Sequence, residues 1–119
     1  MLAREDLGFC FKHIGINCDQ REEAALFSTF LTKTFGMKES ENGQAFWSGD
    51  EMEILKKPGA GVRGHICIGT TDIEGAIQYL EDMGVELDYE DVRYDEEGKR
   101  KVIYLKKHFS GFAIHLMKY

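Results

Sequence analysis

The chain repeats itself. Phe11-Lys12-His13-Ile14-Gly15-Ile16 returns as Arg63-Gly64-His65-Ile66-Cys67-Ile68, and each copy runs on into a stretch of helical character that ends in glycine, Gly36 and then Gly84. The two histidines are 52 residues apart. Self-similarity at that period means one supersecondary unit laid down twice, so the sequence is constrained to fold as two like modules. The repeated residue is a histidine, a metal-ligand type that titrates near neutrality.

The pattern between the repeats sets the unit. In the first copy a strand is expected over about residues 11–17 and a helix over 20–35. Ala24, Phe27, Leu31 and Phe35 share one helical face, and Gly36 caps the end. A weak strand over 37–41 and strands over 44–48 and 51–56 follow, the last two joined by a two-residue turn at Gly49-Asp50. In the second copy a strand spans 64–69. Thr71-Asp72-Ile73-Glu74 has the form of a capping box with Thr71 as N-cap. The helix it opens runs to about 83 and buries Ile73, Ala76, Ile77 and Leu80. Strands over 85–93, 100–107 and 111–118 follow, with a hairpin turn at Glu97-Gly98. Each half reads β-α-β-β-β, which places the chain in the α+β class. Pro58-Gly59-Ala60-Gly61 is the one linker-like stretch. The expected organisation is a single domain over 1–119, with module one at about 9–57, a linker at about 58–62 and module two at about 63–119.

Bulk properties exclude several functions. With 43% hydrophobic and 12% aromatic residues the composition is that of an ordinary globular domain. A net charge of −6 argues against nucleic acid. Lys99-Arg100-Lys101 follows Asp95-Glu96-Glu97-Gly98 and reads as a solvated hairpin tip. No apolar run is long enough for a membrane span, and the N-terminus lacks the apolar stretch of a signal peptide. Cys10, Cys18 and Cys67 are odd in number and lack CxxC spacing, as expected of reduced thiols in a cytoplasmic protein.

Strand phase turns the pattern into chemistry. Alternate side chains point to opposite faces. Ile14, Ile16, Ile66 and Ile68 share the face expected to pack on the helices, which sends His13 and His65 to the other. Met52 and Ile54 turn inward to the core and leave Glu53 with the histidines. Phe112, Ile114 and Leu116 do the same for His115. Four metal-capable side chains therefore fall on one face, from the first and last strand of each copy. Three imidazoles and one carboxylate suit zinc, nickel, cobalt or iron better than calcium or magnesium. Cys67 is expected to line the cavity beside His65 as a small residue, His108 to be exposed and Glu51 to be a solvated acid near the turn. Trp47, Tyr104 and Tyr89 are candidate pocket walls. Arg63, Arg93 and Lys106 are candidates for holding a substrate carboxylate or phosphate.

The chain resembles the vicinal oxygen chelate superfamily, which includes glyoxalases, bleomycin-resistance proteins and extradiol dioxygenases. Gly64-His65-Ile66-Cys67-Ile68 through Asp72, Ala76-Ile77, Leu80 and Gly84-Val85 matches the superfamily's second module. Gly111-Phe112-Ala113-Ile114-His115-Leu116 sits where it commonly has Gly-Asn-x-Ile-Glu-Leu. The resemblance implies a half-open barrel with helices outside and one divalent metal held by His13, Glu53, His65 and His115. It also implies a small-molecule substrate and a homodimer. The chain departs from the pattern at His115, where glutamate is usual, so Glu53 is the only carboxylate left to act as general base. The activity implied is isomerase- or lyase-type chemistry through a metal-stabilised enediolate, with Arg63, Trp47, Tyr104 and Lys106 near the substrate. Ile14-Gly15-Ile16-Asn17-Cys18 and the Gly111–Leu116 run are further similar to a glyoxalase-like domain fused to bacterial 2-keto-3-deoxy-6-phosphogluconate / 4-hydroxy-2-oxoglutarate aldolases. That points to a 2-oxo or sugar acid and to an aldolase partner or fusion. The alternatives are a non-catalytic ligand-binding or sensing module and a sequestering protein of the resistance type.

Overall fold

The computed structural model describes residues 3–119. After a single 3-10 turn, Arg4–Leu7, module one contains β1 (Cys10–Asn17), α1 (Arg21–Phe35), β2 (Glu39–Glu41), β3 (Ala45–Ser48) and β4 (Met52–Leu55). Module two contains β5 (Gly64–Thr70), α2 (Ile73–Asp82), β6 (Leu87–Tyr94), β7 (Arg100–Leu105) and β8 (Phe112–Lys118). Both halves are β-α-β-β-β. The eight strands form one sheet in the order β2-β3-β4-β1-β5-β8-β7-β6, open at β2 and β6. This is the α+β class that the repeat implies, in the half-open arrangement that the resemblance implies.

The order carries the symmetry of the repeat. In each module the last strand pairs parallel with the first, β4 with β1 and β8 with β5. The two first strands pair antiparallel with each other, Ile14 opposite Ile66 and Gly15 opposite His65. That antiparallel pair is the seam between the modules. Asn17, at the end of β1, ties the linker down: its Nδ2 donates to the Gly61 carbonyl at 3.0 Å, and its Oδ1 accepts from the Gly59 amide at 2.9 Å.

Each helix covers its own module. α1 opens with Glu22 and Glu23 and ends with Lys33 in its last turn, charges that complement the helix dipole. Gly36 adopts φ 72° and its amide closes back on the Leu31 and Thr32 carbonyls, a left-handed cap that favours glycine. Cys18, Ala24, Phe46 and Ile54 form the core under α1, joined by Phe27 and Leu31. Ile73, Ala76, Ile77, Leu87, Ile103 and Leu116 form a second core under α2.

Four expectations need correction. The N-cap of α2 is Asp72, not Thr71: the Asp72 carboxylate accepts from the Gly75 amide at 3.0 Å. The helix starts one residue later than the capping-box reading because Thr70 Oγ1 holds the Asp72 amide and the Leu7 carbonyl. The β3–β4 connection is a three-residue turn over 49–51, since Ser48 pairs with Met52. Phe35 is 67% exposed at the end of α1, where it meets only Phe30 edge-on among the aromatic rings of the described residues. Of the four isoleucines expected under the helices, only Ile68 packs against a core cluster. Ile14, Ile16 and Ile66 are half-buried. The helices lie over the flanking strands of each module and leave the seam partly uncovered.

Candidate metal centre

The four middle strands, β4, β1, β5 and β8, bring the candidate side chains to one place on the concave face. Gly15 lies between Glu53 and His65 in register, and Cys67 lies between His13 and His115. The arrangement is diagonal: Glu53 and His65 occupy one level of the sheet, His13 and His115 the level two residues away. The His65 Nε2 and His13 Nε2 atoms are 3.3 Å apart. Glu53 Oε1 lies 3.0 Å from His65 Nε2 and 3.6 Å from His13 Nε2. One ring nitrogen from each of His13, His65 and His115 falls within 4.8 Å of the others.

This donor set fits a transition metal. One nitrogen from each imidazole falls in a single cluster, with the Glu53 carboxylate beside His65 and His13, and ligation requires the neutral imidazole. Burial pushes His115 down to about 4, against a weaker opposing effect of its hydrogen bond to the Leu116 carbonyl. Burial also lowers His13, partly offset by Glu53 and reinforced by His65. Burial resists the charge on Glu53, but His65, His13 and His115 together hold its carboxyl below the usual range. The shifts thus favour neutral His13 and His115 beside an ionised Glu53. His115 Nδ1 lies 3.4 Å from the Leu116 carbonyl, which leaves its other nitrogen for a ligand.

His65 is held differently. Its Nδ1 is buried and has no hydrogen-bond partner. Packing fixes the ring instead: a Cβ added at Gly15 would lie 2.1 Å from His65 Cε1, 2.4 Å from Nδ1 and 2.6 Å from Nε2. The imidazole lies flat over the bare backbone of β1. Gly15 is therefore a site residue with no chemistry of its own. Its signal was the glycine inside an otherwise well-formed strand, which marks a close approach.

The cluster forms the floor of a cavity of about 720 Å³, with Tyr104, Val102, Met117 and Arg93 on one wall and Lys56, Lys57 and the Pro58-Gly59-Ala60 linker on another. Tyr104 packs against His115 at a tilt, with ring centroids 4.9 Å apart. Trp47 does not line this cavity, but its indole meets His13 edge-on at 5.1 Å. Arg63 and Lys106, expected near the substrate, lie elsewhere. Arg63 is exposed and packs over Gly111, and Lys106 is exposed and faces Glu86 at 3.9 Å. Both sit at strand ends, where alternation no longer fixes direction. Tyr89 is also outside, hydrogen-bonded to Glu81 at 2.7 Å. Cys67 is fully buried beneath the histidines, not a wall of the cavity. Burial and the charge of Glu53 push its thiol up to about 12, so it stays protonated. A second depression of about 690 Å³ over the start of α2 has the Glu74–Arg100 ion pair in its lining and no histidine.

The paired β-α-β-β-β modules on one curved, open sheet fit a fold of the vicinal oxygen chelate type. Particular solved structures share it. One methylmalonyl-CoA epimerase superimposes with a TM-score of 0.66 at 20% identity, over 98% of this chain and 99% of that one. The Streptomyces coelicolor methylmalonyl-CoA epimerase in complex with 2-nitronate-propionyl-CoA gives 0.58 at 20% identity over 91% and 95%. A hypothetical protein from Bacillus halodurans gives 0.63 at 18% identity over 94% and 95%. No protein-family model matches the chain, and no curated protein matches it in sequence. Among the described residues no helix is long and apolar enough to cross a membrane.

Proposed function

We propose that the chain is a metal-dependent isomerase- or lyase-type enzyme that moves a proton beside a carbonyl of a small oxygenated acid. The observation that carries this reading is the approach of the Glu53 carboxylate to within 3.0 Å of His65 and 3.6 Å of His13 on the floor of a concave cavity. His13, His65 and His115 are the neutral donors for a divalent zinc, nickel, cobalt or iron ion, with Glu53 as the fourth ligand. Such an ion, when bound, supplies Lewis acidity toward paired substrate oxygens and so stabilises negative charge at the carbonyl. Glu53, ionised and next to that point, takes the proton from the adjacent carbon as general base. Tyr104, on the wall beside His115 and kept protonated chiefly by burial, is placed to return one. Trp47 shields the edge of His13 from water.

The fold is shared with methylmalonyl-CoA epimerases, isomerases by name, which supports proton chemistry of this type. The aldolase-linked resemblance supports a 2-oxo or sugar acid as substrate. The test is metal content by mass spectrometry, followed by exchange of solvent deuterium into a panel of 2-oxo acids. The wild-type protein is expected to retain metal and exchange. His13→Ala should lose the metal. Glu53→Gln should keep most of it and exchange roughly 10²–10⁴-fold more slowly. Metal-loaded Glu53→Gln exchanging at the wild-type rate would remove Glu53 from the chemistry. A metal-loaded wild type that binds acids without exchange would be a ligand-binding module.

A further inference from the structure

The cavity above the histidines has a charge opposite to that of the chain. The protein carries −6, yet the charged side chains along this cavity are Arg21, Lys56, Lys57 and Arg93 against one acid, Glu53. Arg21 and Lys56 share a single carboxylate, Glu41, which lies outside the cavity lining. Lys57 and Arg93 form no ion pair within 4.0 Å among the described residues. A concave site of one sign on a molecule of the other focuses its field and concentrates counter-ions.

Arg93 is the more telling of the two unpaired cations. It lies on β6, opposite Val102 of β7, which lies opposite Met117 of β8. Its charge acts on the Tyr104 phenol. Asp91, two residues earlier on β6, also acts on Tyr104 but does not line the cavity. Between the histidines and Arg93 the wall is Tyr104, Val102 and Met117, largely apolar. The histidines offer a place for paired oxygens, the wall a place for a short carbon chain, and Arg93 a bidentate donor at the far end.

We infer that the substrate is a small acid with a second anionic group, carboxylate or phosphate, and that Arg93 is the specificity residue that holds it. The inference rests on the proposed metal site for its account of the oxygen-bearing head group. It is tested on cobalt-loaded protein with three probes that share a 2-hydroxy-carboxylate head: glycerate, malate and 3-phosphoglycerate. Binding is read from the visible absorption of cobalt. Malate, 3-phosphoglycerate or both should bind roughly tenfold or more tighter than glycerate, the worth of a charge-assisted pair, and the tighter of the two identifies the distal group. Arg93→Gln should erase the preference and leave glycerate affinity unchanged. Equal affinity for all three probes, or a preference that survives Arg93→Gln, overturns the inference. A second arm separates it from the metal reading. In chelator-treated protein, 3-phosphoglycerate should shift the amide resonances of Arg93 and Val102, and Arg93→Gln should abolish those shifts. If cobalt does not bind but these shifts appear, the metal reading fails and the anion subsite stands. If cobalt binds and neither 3-phosphoglycerate nor malate produces these shifts in chelator-treated protein, the subsite fails alone.

Discussion

Gly15→Ala tests the site without touching a candidate ligand. The added methyl group would stand 2.1 Å from His65 Cε1, where ordinary contact begins at 3.4 Å. The ring must therefore retreat by roughly 1.3 Å, or β5 must move with it. Metal–imidazole bonds are about 2.0–2.1 Å long and tolerate only a few tenths of an ångström of error. A shift of that size takes His65 out of the coordination sphere. Loss of an outer-shell partner alone costs about 10–100-fold in metal affinity, so displacement of a ligand should cost about 100-fold or more. Overpacking should also destabilise the metal-free protein by about 1–3 kcal/mol. The assay is competition for zinc against a chromophoric chelator, with folding followed by circular dichroism. Gly43→Ala is the control, because nothing lies within 4 Å of a Cβ there. The expected result is a folded Gly15→Ala protein with collapsed metal affinity and a Gly43→Ala protein like wild type. A folded Gly15→Ala protein that binds zinc as tightly as wild type would refute the claim that the bare backbone of β1 seats the imidazole.

Two further outcomes concern stability. His115 has a folded-state value of about 4 against 6.5 for an unperturbed histidine, so between those values the unfolded chain binds a proton that the folded chain excludes. Metal-free stability should fall as pH falls from 6.5 to 4, by on the order of 3 kcal/mol from this group; urea unfolding in chelator should show His115→Gln with a shallower loss than wild type across that window. Asp72→Ala removes the cap on the Gly75 amide and should cost about 1 kcal/mol, a fall of roughly 4 °C in Tm by calorimetry, whereas Thr71→Ala should cost less.

Much of this architecture was legible in the sequence because it rests on short-range periodicities. The repeat specified two like modules, and the alternation of Met52 and Ile54 around Glu53, or of Ile114 and Leu116 around His115, assigned each polar side chain to a face. What escaped depends on pairing between distant strands. Gly15 matters because it is opposite His65 across the seam, a register that neither strand encodes alone. Arg93 could not be preferred over Arg63 or Lys106 because β6 is irregular: the pairing shifts between Asp88 and Val92, and simple alternation breaks there. The half-buried state of Ile14, Ile16 and Ile66 reflects where the helices lie, which periodicity does not fix. Thr71 and Asp72 are both good caps, and only the hydrogen bond to Gly75 separates them.

The antiparallel join of β1 to β5 has a consequence for how such a molecule could arise and how it opens. His13 and Glu53 belong to one half, His65 and His115 to the other. A half-length ancestor would own only two donors and could enclose an ion only by pairing with its twin. In the fused chain, any fluctuation that parts the halves would dismantle the proposed coordination sphere, and an ion held there would act as a rivet that keeps them closed.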